Sequence, residues 1–387
     1  MICDNWCAVR DMRYAVCGKS KIKIQMVALF VLLWGLLPLQ LTANSDLENE
    51  EFHADEYIMD HIVDSYGWHI TTILKKEVAI PLPIILFDEG KLVCFMSSKF
   101  HHGTAAYKGY TIGFTKDTNG KVIKLQGEDA NFTGTLEKDK KYAFAPVFFD
   151  ISISKNVLAL LISVFVLCWV FISVANTYRR NPNKAPKGLQ NMLEVVILFI
   201  RDEIAIPLIG ERKYKKYLPY LLTLFFFILL NNLMGLVPVF PGGANVTGNI
   251  AVAMILALVT FFTVSFSANK NYWLHIINPP GVPWWLKFPL PLMPFIEFIG
   301  LLTKPFVLMI RLFANMVAGH IIILGFIGLI FIFGAMTPVA GLLFSPVSLF
   351  FYLFMGAIEL LVAFIQAFIF TLLTALYIGM ATEEAHA

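Results

Sequence analysis

Residues 293–334 form the longer of two apolar stretches that decide the fold, and they read MPFIEFIGLLTKPFVLMIRLFANMVAGHIIILGFIGLIFIFG. The second stretch, residues 345–380, reads SPVSLFFYLFMGAIELLVAFIQAFIFTLLTALYIGM. A helix perpendicular to a bilayer needs only ~20 apolar residues to cross it. Each stretch therefore predicts one very long membrane helix, which must tilt strongly or kink.

The composition of the whole chain is that of a membrane protein. Hydrophobic residues make up 58% of the sequence and charged residues 15%, and the mean hydropathy is +0.70. The net charge of +3 is too small to indicate nucleic-acid binding, and the basic residues cluster beside apolar runs. Most of the surface is therefore expected to face lipid.

Shorter apolar runs precede the two long ones, and basic clusters orient them. The run 157–175 ends in a group of four basic residues, Arg179, Arg180, Lys184 and Lys187, which marks the cytoplasmic side. Runs 221–239 and 250–268 predict one outward and one inward crossing. Residues 189–209 mix charges into an apolar background, which favours an interfacial helix. The prediction is an all-α polytopic bundle with five core membrane helices and a cytoplasmic carboxyl terminus.

The amino-terminal third predicts two further parts. Residues 1–45 carry lysines followed by an apolar run, which is typical of a signal peptide or an anchor, although a first helix of the transport core is the alternative. Residues 46–150 predict a small β-rich extracytoplasmic domain with two hairpins, one at 78–96 and one at 110–125. Residues 151–387 then form the membrane domain.

Cofactor and metal chemistry have no support in the sequence. The five cysteines are scattered, which argues against a disulfide framework. The adjacent His101 and His102 lack partners at metal-ligand spacing and read as surface residues. No cofactor and no metal site are therefore expected.

Ionisable and polar side chains interrupt the two long stretches. Arg311 and His320 lie in the first, and Glu359 and Gln366 lie in the second. Such groups cost a few kcal/mol or more each in a bilayer, so they face protein or water and commonly mark an ion path. The alternatives are snorkelling for Arg311 and structural hydrogen bonds for His320 and Glu359.

Spacing groups these residues further. Glu297, Lys304 and Arg311 recur every seven residues and Asn315 follows four later, so all four share one helical stripe. If the two long helices are antiparallel and Arg311 is level with Gln366, His320 falls within about two residues of the level of Glu359. Nine residues separate Arg311 from His320, which puts them on opposite sides of an ideal helix. The simplest solution is that Arg311 faces an external partner.

The motifs around these residues resemble subunit a of F-type ATP synthases. They are Thr303-Lys-Pro, Ile310-Arg-Leu-Phe-Ala-Asn-Met-Val-Ala-Gly-His, Ile365-Gln-Ala-Phe-Ile-Phe and Met380-Ala-Thr-Glu-Glu, with support from His275, Asn278-Pro and Asn231-Asn-Leu-Met-Gly-Leu-Val-Pro. The likeness covers roughly residues 150–384. His320 stands where a familiar arrangement has an acid and Glu359 where it has a histidine, so the pair is exchanged between the helices.

The resemblance implies a proton-translocating stator subunit in a bacterial inner membrane. Its partners would be the c-subunit ring, the b subunits of the peripheral stalk and the rest of the complex. Arg311 would separate two half-channels, with His320 and Glu359 on the outer side, Glu297 near the inner mouth, and Gln366, Asn315 and Lys304 beside the path. The chain itself would catalyse no reaction, since it has no Gly-x-x-x-x-Gly-Lys-[Ser/Thr] loop.

Three other functions are alternatives to this one. A sodium-translocating version of the same subunit stays open, because ion choice lies largely in the rotor subunit. A proton-coupled secondary transporter would show two similar halves with interrupted helices, and the sequence contains no such repeat. An intramembrane hydrolase would need a motif such as His-Glu-x-x-His or Gly-x-Ser-x-Gly, and neither occurs.

Overall fold

The structure is a computed structural model that describes residues 64–383, apart from 74–75, 89, 114–119, 127–131, 136–143, 148, 181–184, 238–241 and 278–291. The leader or anchor predicted at residues 1–45 lies outside the described residues. So does most of the loop that contains Asn278 and Pro279.

Five helices in the described part of the chain are long and apolar enough to cross a membrane. In chain order the helices are α1 (Lys155–Arg180), α2 (Leu189–Phe199), α3 (Ile206–Ile209), α4 (Tyr214–Leu236), α5 (Ile250–Ser267), α6 (Lys270–Ile277), α7 (Leu292–Met336) and α8 (Pro338–Thr382). The five candidate spans belong to α1, α4, α5, α7 and α8. The predicted polytopic membrane bundle is confirmed.

The long helices α7 and α8 form an antiparallel pair joined at Thr337. The expectation that the second helix begins near Ser345 is wrong, because α8 already begins at Pro338. Thr337 accepts a hydrogen bond from the backbone N–H of Ala340 (3.2 Å), and proline suits the first helical position, where no N–H is needed. The helices approach so closely here that a Cβ on Gly341 would lie 2.7 Å from the Cα of Gly334.

The segment predicted as interfacial is helical but interrupted. A π-helical stretch, Ile200–Ala205, separates α2 from α3. Ile200 and Ile204 are buried against the bundle, whereas Arg201 pairs with the neighbouring exposed Asp202 (Nε to Oδ1, 2.7 Å). Arg201 lowers the pKa of Asp202 through this hydrogen bond. The segment thus presents one apolar and one charged side, as an interfacial helix requires.

The core of the bundle surrounds α4. Its fully buried side chains include Leu221 and Phe225 of α4, Leu308 and Leu312 of α7, and Ala367 of α8. At the start of α4, Lys213 donates from Nζ to the carbonyl oxygen of Thr382 at the end of α8 (2.7 Å). The beginning of α4 and the end of α8 therefore lie at the same end of the bundle.

The amino-terminal domain consists of short antiparallel strands. They are β1 (Gly67–Ile73), β2 (Lys76–Pro81), β3 (Pro83–Asp88), β4 (Lys91–Met96), β5 (Ala105–Ala106), β6 (Tyr110–Ile112), β7 (Val122–Leu125), β8 (Gly134–Thr135), β9 (Phe144–Pro146) and β10 (Phe149–Asp150). The two predicted hairpins correspond to the β3–β4 and β6–β7 pairs. The first begins at Pro83 rather than at Val78, because residues 78–81 belong to β2, which pairs with β1. Ile84, Leu86 and Phe100 form the core of the domain.

The β domain is attached to one end of the bundle by polar and apolar contacts. Asp64 caps the start of α1, since its carboxylate accepts from Ser154 Oγ (2.6 Å) and from the backbone N–H of Asn156 (3.0 Å). Trp68, which is 2% exposed, packs against Ala159 of α1 and against Ala244 and Val246 of the loop after α4. The β domain therefore covers the end of α4 opposite Lys213.

Candidate functional site

His320 and Glu359 meet inside the bundle. His320 Nδ1 lies 2.9 Å from Glu359 Oε1 and 2.9 Å from the carbonyl oxygen of Met316. His320 Nε2 lies 3.3 Å from the carbonyl oxygen of Gly235, near the end of α4. Glu359 is only 4% exposed. The two residues therefore share one level, at the end of the bundle that carries the β domain.

Two glycines make room for this pair. A Cβ on Gly319 would lie 2.7 Å from Glu359 Oε1, which is closer than real Cβ contacts allow, and one on Gly235 would come within 3.6 Å of His320 Nε2. The carboxyl group occupies the space that a side chain at position 319 would fill. Gly319 belongs to the sequence motif that ends at His320, but only the tertiary contact shows that it makes room for the Glu359 carboxyl group.

The hydrogen-bonding groups of the His320–Glu359 pair are not all satisfied. The Nδ1 position is shared, because it faces the Met316 carbonyl and Glu359 at the same distance, and the aligned hydrogen bond goes to Met316. Neither carboxylate oxygen of Glu359 has an aligned hydrogen-bond donor among the described residues. A neutral imidazole carries one N–H, whereas both ring nitrogens face acceptors here. In the neutral form of the ring, at least one of these contacts therefore has no proton between its two atoms.

Arg311 lies on a face of α7 that the bundle leaves uncovered. Its neighbours one turn away on the same side, Val307, Ala314 and Asn315, are exposed, and so is Ala318. We call these residues, with the half-buried Arg311, the open face of α7. Among the described residues Arg311 forms no ion pair. Its guanidinium is close enough to Tyr377 of α8 to interact with it electrostatically.

The opposite directions of Arg311 and His320 follow from how the packed face winds around α7. The buried positions Leu308, Leu312 and Met316 advance four residues at a time, and each step of four drifts about 40° around an α-helix. His320 is the next position of this series. Arg311 lies off the series, on the open face, so one unbroken helix presents the two side chains to different surroundings.

Lys304 lies in an aromatic cage toward the other end of the bundle. Its Nζ lies 5.2 Å from the ring centre of Tyr377 and 5.9 Å from that of Tyr272 on α6. Glu297 acts electrostatically on both Lys304 and Tyr272, and burial together with Glu297 raises the pKa of Tyr272. The two tyrosines were not predicted, since contacts between distant segments have no signal in local spacing.

Gln366 and Asn315 occupy the region between these clusters. Arg311 lies between two contacts that α7 makes with α8, namely Lys304–Tyr377 and His320–Glu359. Interpolation between these contacts places Arg311 at about the level of Ile369 on α8. Gln366 lies about one helical turn from there toward the β domain. Gln366 is 5% exposed, whereas Asn315 is exposed.

A buried asparagine of α4 extends the polar interior. Asn232 donates from Nδ2 to the carbonyl oxygen of Ala363, one turn from Glu359 (3.1 Å). The polar side chains thus occur at three levels, with His320 and Glu359 near the β domain, Arg311 between, and Lys304 with Glu297 near the far end.

These features define a class of protein, namely a polytopic membrane protein with ionisable side chains at successive depths of its bundle. Residues 157–379 match the family described as ATP synthase A chain. Residues 57–144 match a family described as a domain of unknown function (DUF8433).

Relatives with curated names agree with the first match. ATP synthase subunit a of Chloroherpeton thalassium is 43% identical over 250 residues, which cover 62% of this chain and 71% of the relative. ATP synthase subunit a of Chlorobium phaeobacteroides is 45% identical over 304 residues, 74% of this chain and 82% of the relative. The chain belongs to the ATP synthase subunit a family. It is accordingly a non-catalytic membrane subunit of an ATP synthase complex.

Proposed function

We propose that this chain is the stator subunit that passes protons to and from a rotating c ring through two half-channels, which end on opposite sides of Arg311. The His320–Glu359 pair belongs to the outer half-channel, and Glu297 with Lys304 belongs to the inner one. Gln366 and Asn315 flank the crossing point. Each proton that crosses 100 mV supplies about 2.3 kcal/mol, and several are combined for one ATP.

The observation that carries the proposal is the position of Arg311 on the open face. A cation on a membrane-facing surface without an anionic partner among the described residues needs one from another molecule. A rotor carboxylate fits, because a fixed cation lowers the pKa of a nearby carboxyl group and favours its ionised form. Ala314 and Ala318 beside Arg311 are small and exposed, so a partner helix can approach closely.

Arginine suits the separating role for a chemical reason. The guanidinium group stays protonated in proteins, so it does not release a proton and pass it from one half-channel to the other. The c ring is therefore assigned to the open face of α7, while the b subunits and the rest of the complex contact other surfaces.

The proposed orientation follows the basic clusters. Arg179 and Arg180 end α1, and Lys213, Lys215 and Lys216 lie at the start of α4, which assigns that end of the bundle to the cytoplasm. The β domain is then extracytoplasmic and the carboxyl terminus cytoplasmic, in a bacterial inner membrane. A sodium-translocating subunit is the second candidate, distinguished by whether a sodium or a proton gradient drives synthesis.

Replacement of Arg311 tests the proposal. Arg311→Ala and Arg311→Lys should abolish ATP synthesis driven by a proton gradient while the c ring still copurifies, because neither change disturbs a packed core. Lysine deprotonates more readily in a low-dielectric site and lacks the planar fork. Arg179→Lys, at the exposed end of α1, is the matched control and should keep wild-type rates. Normal synthesis with Arg311→Lys would refute the separator role.

A further inference from the structure

The loop between α4 and α5 contains buried polar side chains that the proposed function has not used. Asn245 is 3% exposed and Thr247 is 1% exposed. Asn245 Oδ1 accepts from the backbone N–H of Gly248 (2.9 Å), but Asn245 Nδ2 and Thr247 Oγ1 have no hydrogen-bond partner among the described residues. A buried polar group without a protein partner is commonly bound to an ordered water molecule.

This loop lies between the β domain and the His320–Glu359 pair. On one side Trp68 packs against Ala244 and Val246. On the other side the Ala244 carbonyl oxygen and His320 Nε2 both lie 3.6 Å from the position of a Cβ on Gly235. The loop is therefore one layer away from the imidazole and belongs to the same buried apolar cluster as the indole.

Further unsatisfied atoms continue from the loop into the bundle. Asn231 Oδ1 and Asn232 Oδ1, both in fully buried residues of α4, lack hydrogen-bond partners among the described residues, and so does Glu359 Oε2, whereas Glu359 Oε1 faces His320 Nδ1. Asn232 is joined to α8 one turn from Glu359 through Ala363. The unsatisfied atoms belong to one loop, one helix turn and one carboxylate, and all of them lie at the same end of the bundle. This clustering indicates a hydrated path rather than isolated packing defects.

We propose that the β domain forms the roof of the outer half-channel. Trp68 holds the loop in which Asn245 and Thr247 bind water, and this water path leads to the His320–Glu359 pair. The inference rests on the function proposed above, since it describes how protons reach that pair from the β-domain side. Asn245 and Thr247 are positioning residues that hold water, and Trp68 holds their loop in place. The β domain thereby acquires a role in proton access.

Cysteine accessibility tests the water path. In a chain whose five native cysteines are replaced by serine, Thr247→Cys should react with silver ions, a probe of nearly water size, added on the β-domain side. The reaction should abolish most of the ATP-driven proton pumping of the assembled complex. Ser163→Cys is the control, because Ser163 is equally buried at the same end of the bundle and its hydroxyl donates to Leu160 (2.8 Å).

The roof is tested with a larger reagent. A sulfonated methanethiosulfonate should react slowly with Thr247→Cys in the wild-type background, and about tenfold or more faster when Trp68→Ala is added, because the loop then opens locally. Trp68→Phe should keep the slow rate. If the Trp68→Ala complex does not accumulate, Trp68→Leu replaces it with the same expectation.

The outcomes separate this inference from the proposed function. Silver-resistant pumping by Thr247→Cys, together with loss of function in Arg311→Ala, would overturn the water path and leave the half-channels standing. An unchanged rate for the large reagent after the Trp68 change would overturn the roof. Normal function of Arg311→Ala would refute the proposed function itself.

Discussion

The carboxyl group of Glu359 packs against Gly319, where it occupies the position that the Cβ of any other residue would take. A Cβ at position 319 would meet Oε1 at 2.7 Å and the carboxyl carbon at 2.9 Å. The residue before His320 thus determines where the partner of His320 can be. Any other residue at position 319 would have to push the Glu359 carboxyl group aside.

Gly319→Ala should displace the Glu359 carboxyl group from His320 and slow proton pumping by about 10-fold to 100-fold, the effect of misplacing a reacting group by roughly 1 Å. The complex should still assemble, since one methyl group is added. Gly325→Ala on the same helix is the control, because a Cβ there meets nothing within 4 Å. Pumping is measured in inverted vesicles, and equal rates for the two variants would contradict the contact.

His320 and Glu359 should behave as one unit in a double exchange. Either single replacement, His320→Glu or Glu359→His, should slow transport without abolishing it, because water substitutes partly in a hydrated path. The double exchange should recover more activity than additivity predicts, since residues in contact are energetically coupled. Strict additivity of the two changes in vesicle pumping would indicate separate roles.

The cage around Lys304 should depend on aromatic faces rather than on hydroxyl groups. Tyr377→Leu removes a cation–π contact of about 0.5–2 kcal/mol and should lower both the thermal stability of the complex and its pumping rate. Tyr377→Phe retains the ring and should resemble wild type. If the phenylalanine variant were as impaired as the leucine variant, the hydroxyl group would be the important part.

The orientation can be tested by labelling from each side. Gly103 is buried with a positive φ of 87°, so the exposed neighbour Thr104 is the better site in the β domain. With the native cysteines replaced, an impermeant reagent should label Thr104→Cys from outside and Glu383→Cys, at the exposed end of α8, from inside. Labelling of both from one side would mean that one predicted span does not cross.

Much of the architecture could be predicted from the sequence because burial in lipid is a local property. Long apolar runs and basic flanks located the five spans, and turn residues located the two hairpins. The start of α8 was missed, although Thr337-Pro338 is a helix-start signal. The residues on both sides of this signal are apolar, so hydropathy alone did not separate the end of α7 from the start of α8.

The sequence by itself determined which residues must lie in the membrane, and the nine-residue spacing placed Arg311 and His320 on opposite sides of one helix. Only the tertiary structure decided the register that brings His320 level with Glu359, the cage of Tyr272 and Tyr377, and the packing of Trp68 near the loop above His320. The physical reason is that rise and periodicity are properties of one segment. Contacts between distant segments depend on how helices wind around each other and on where loops and domains pack.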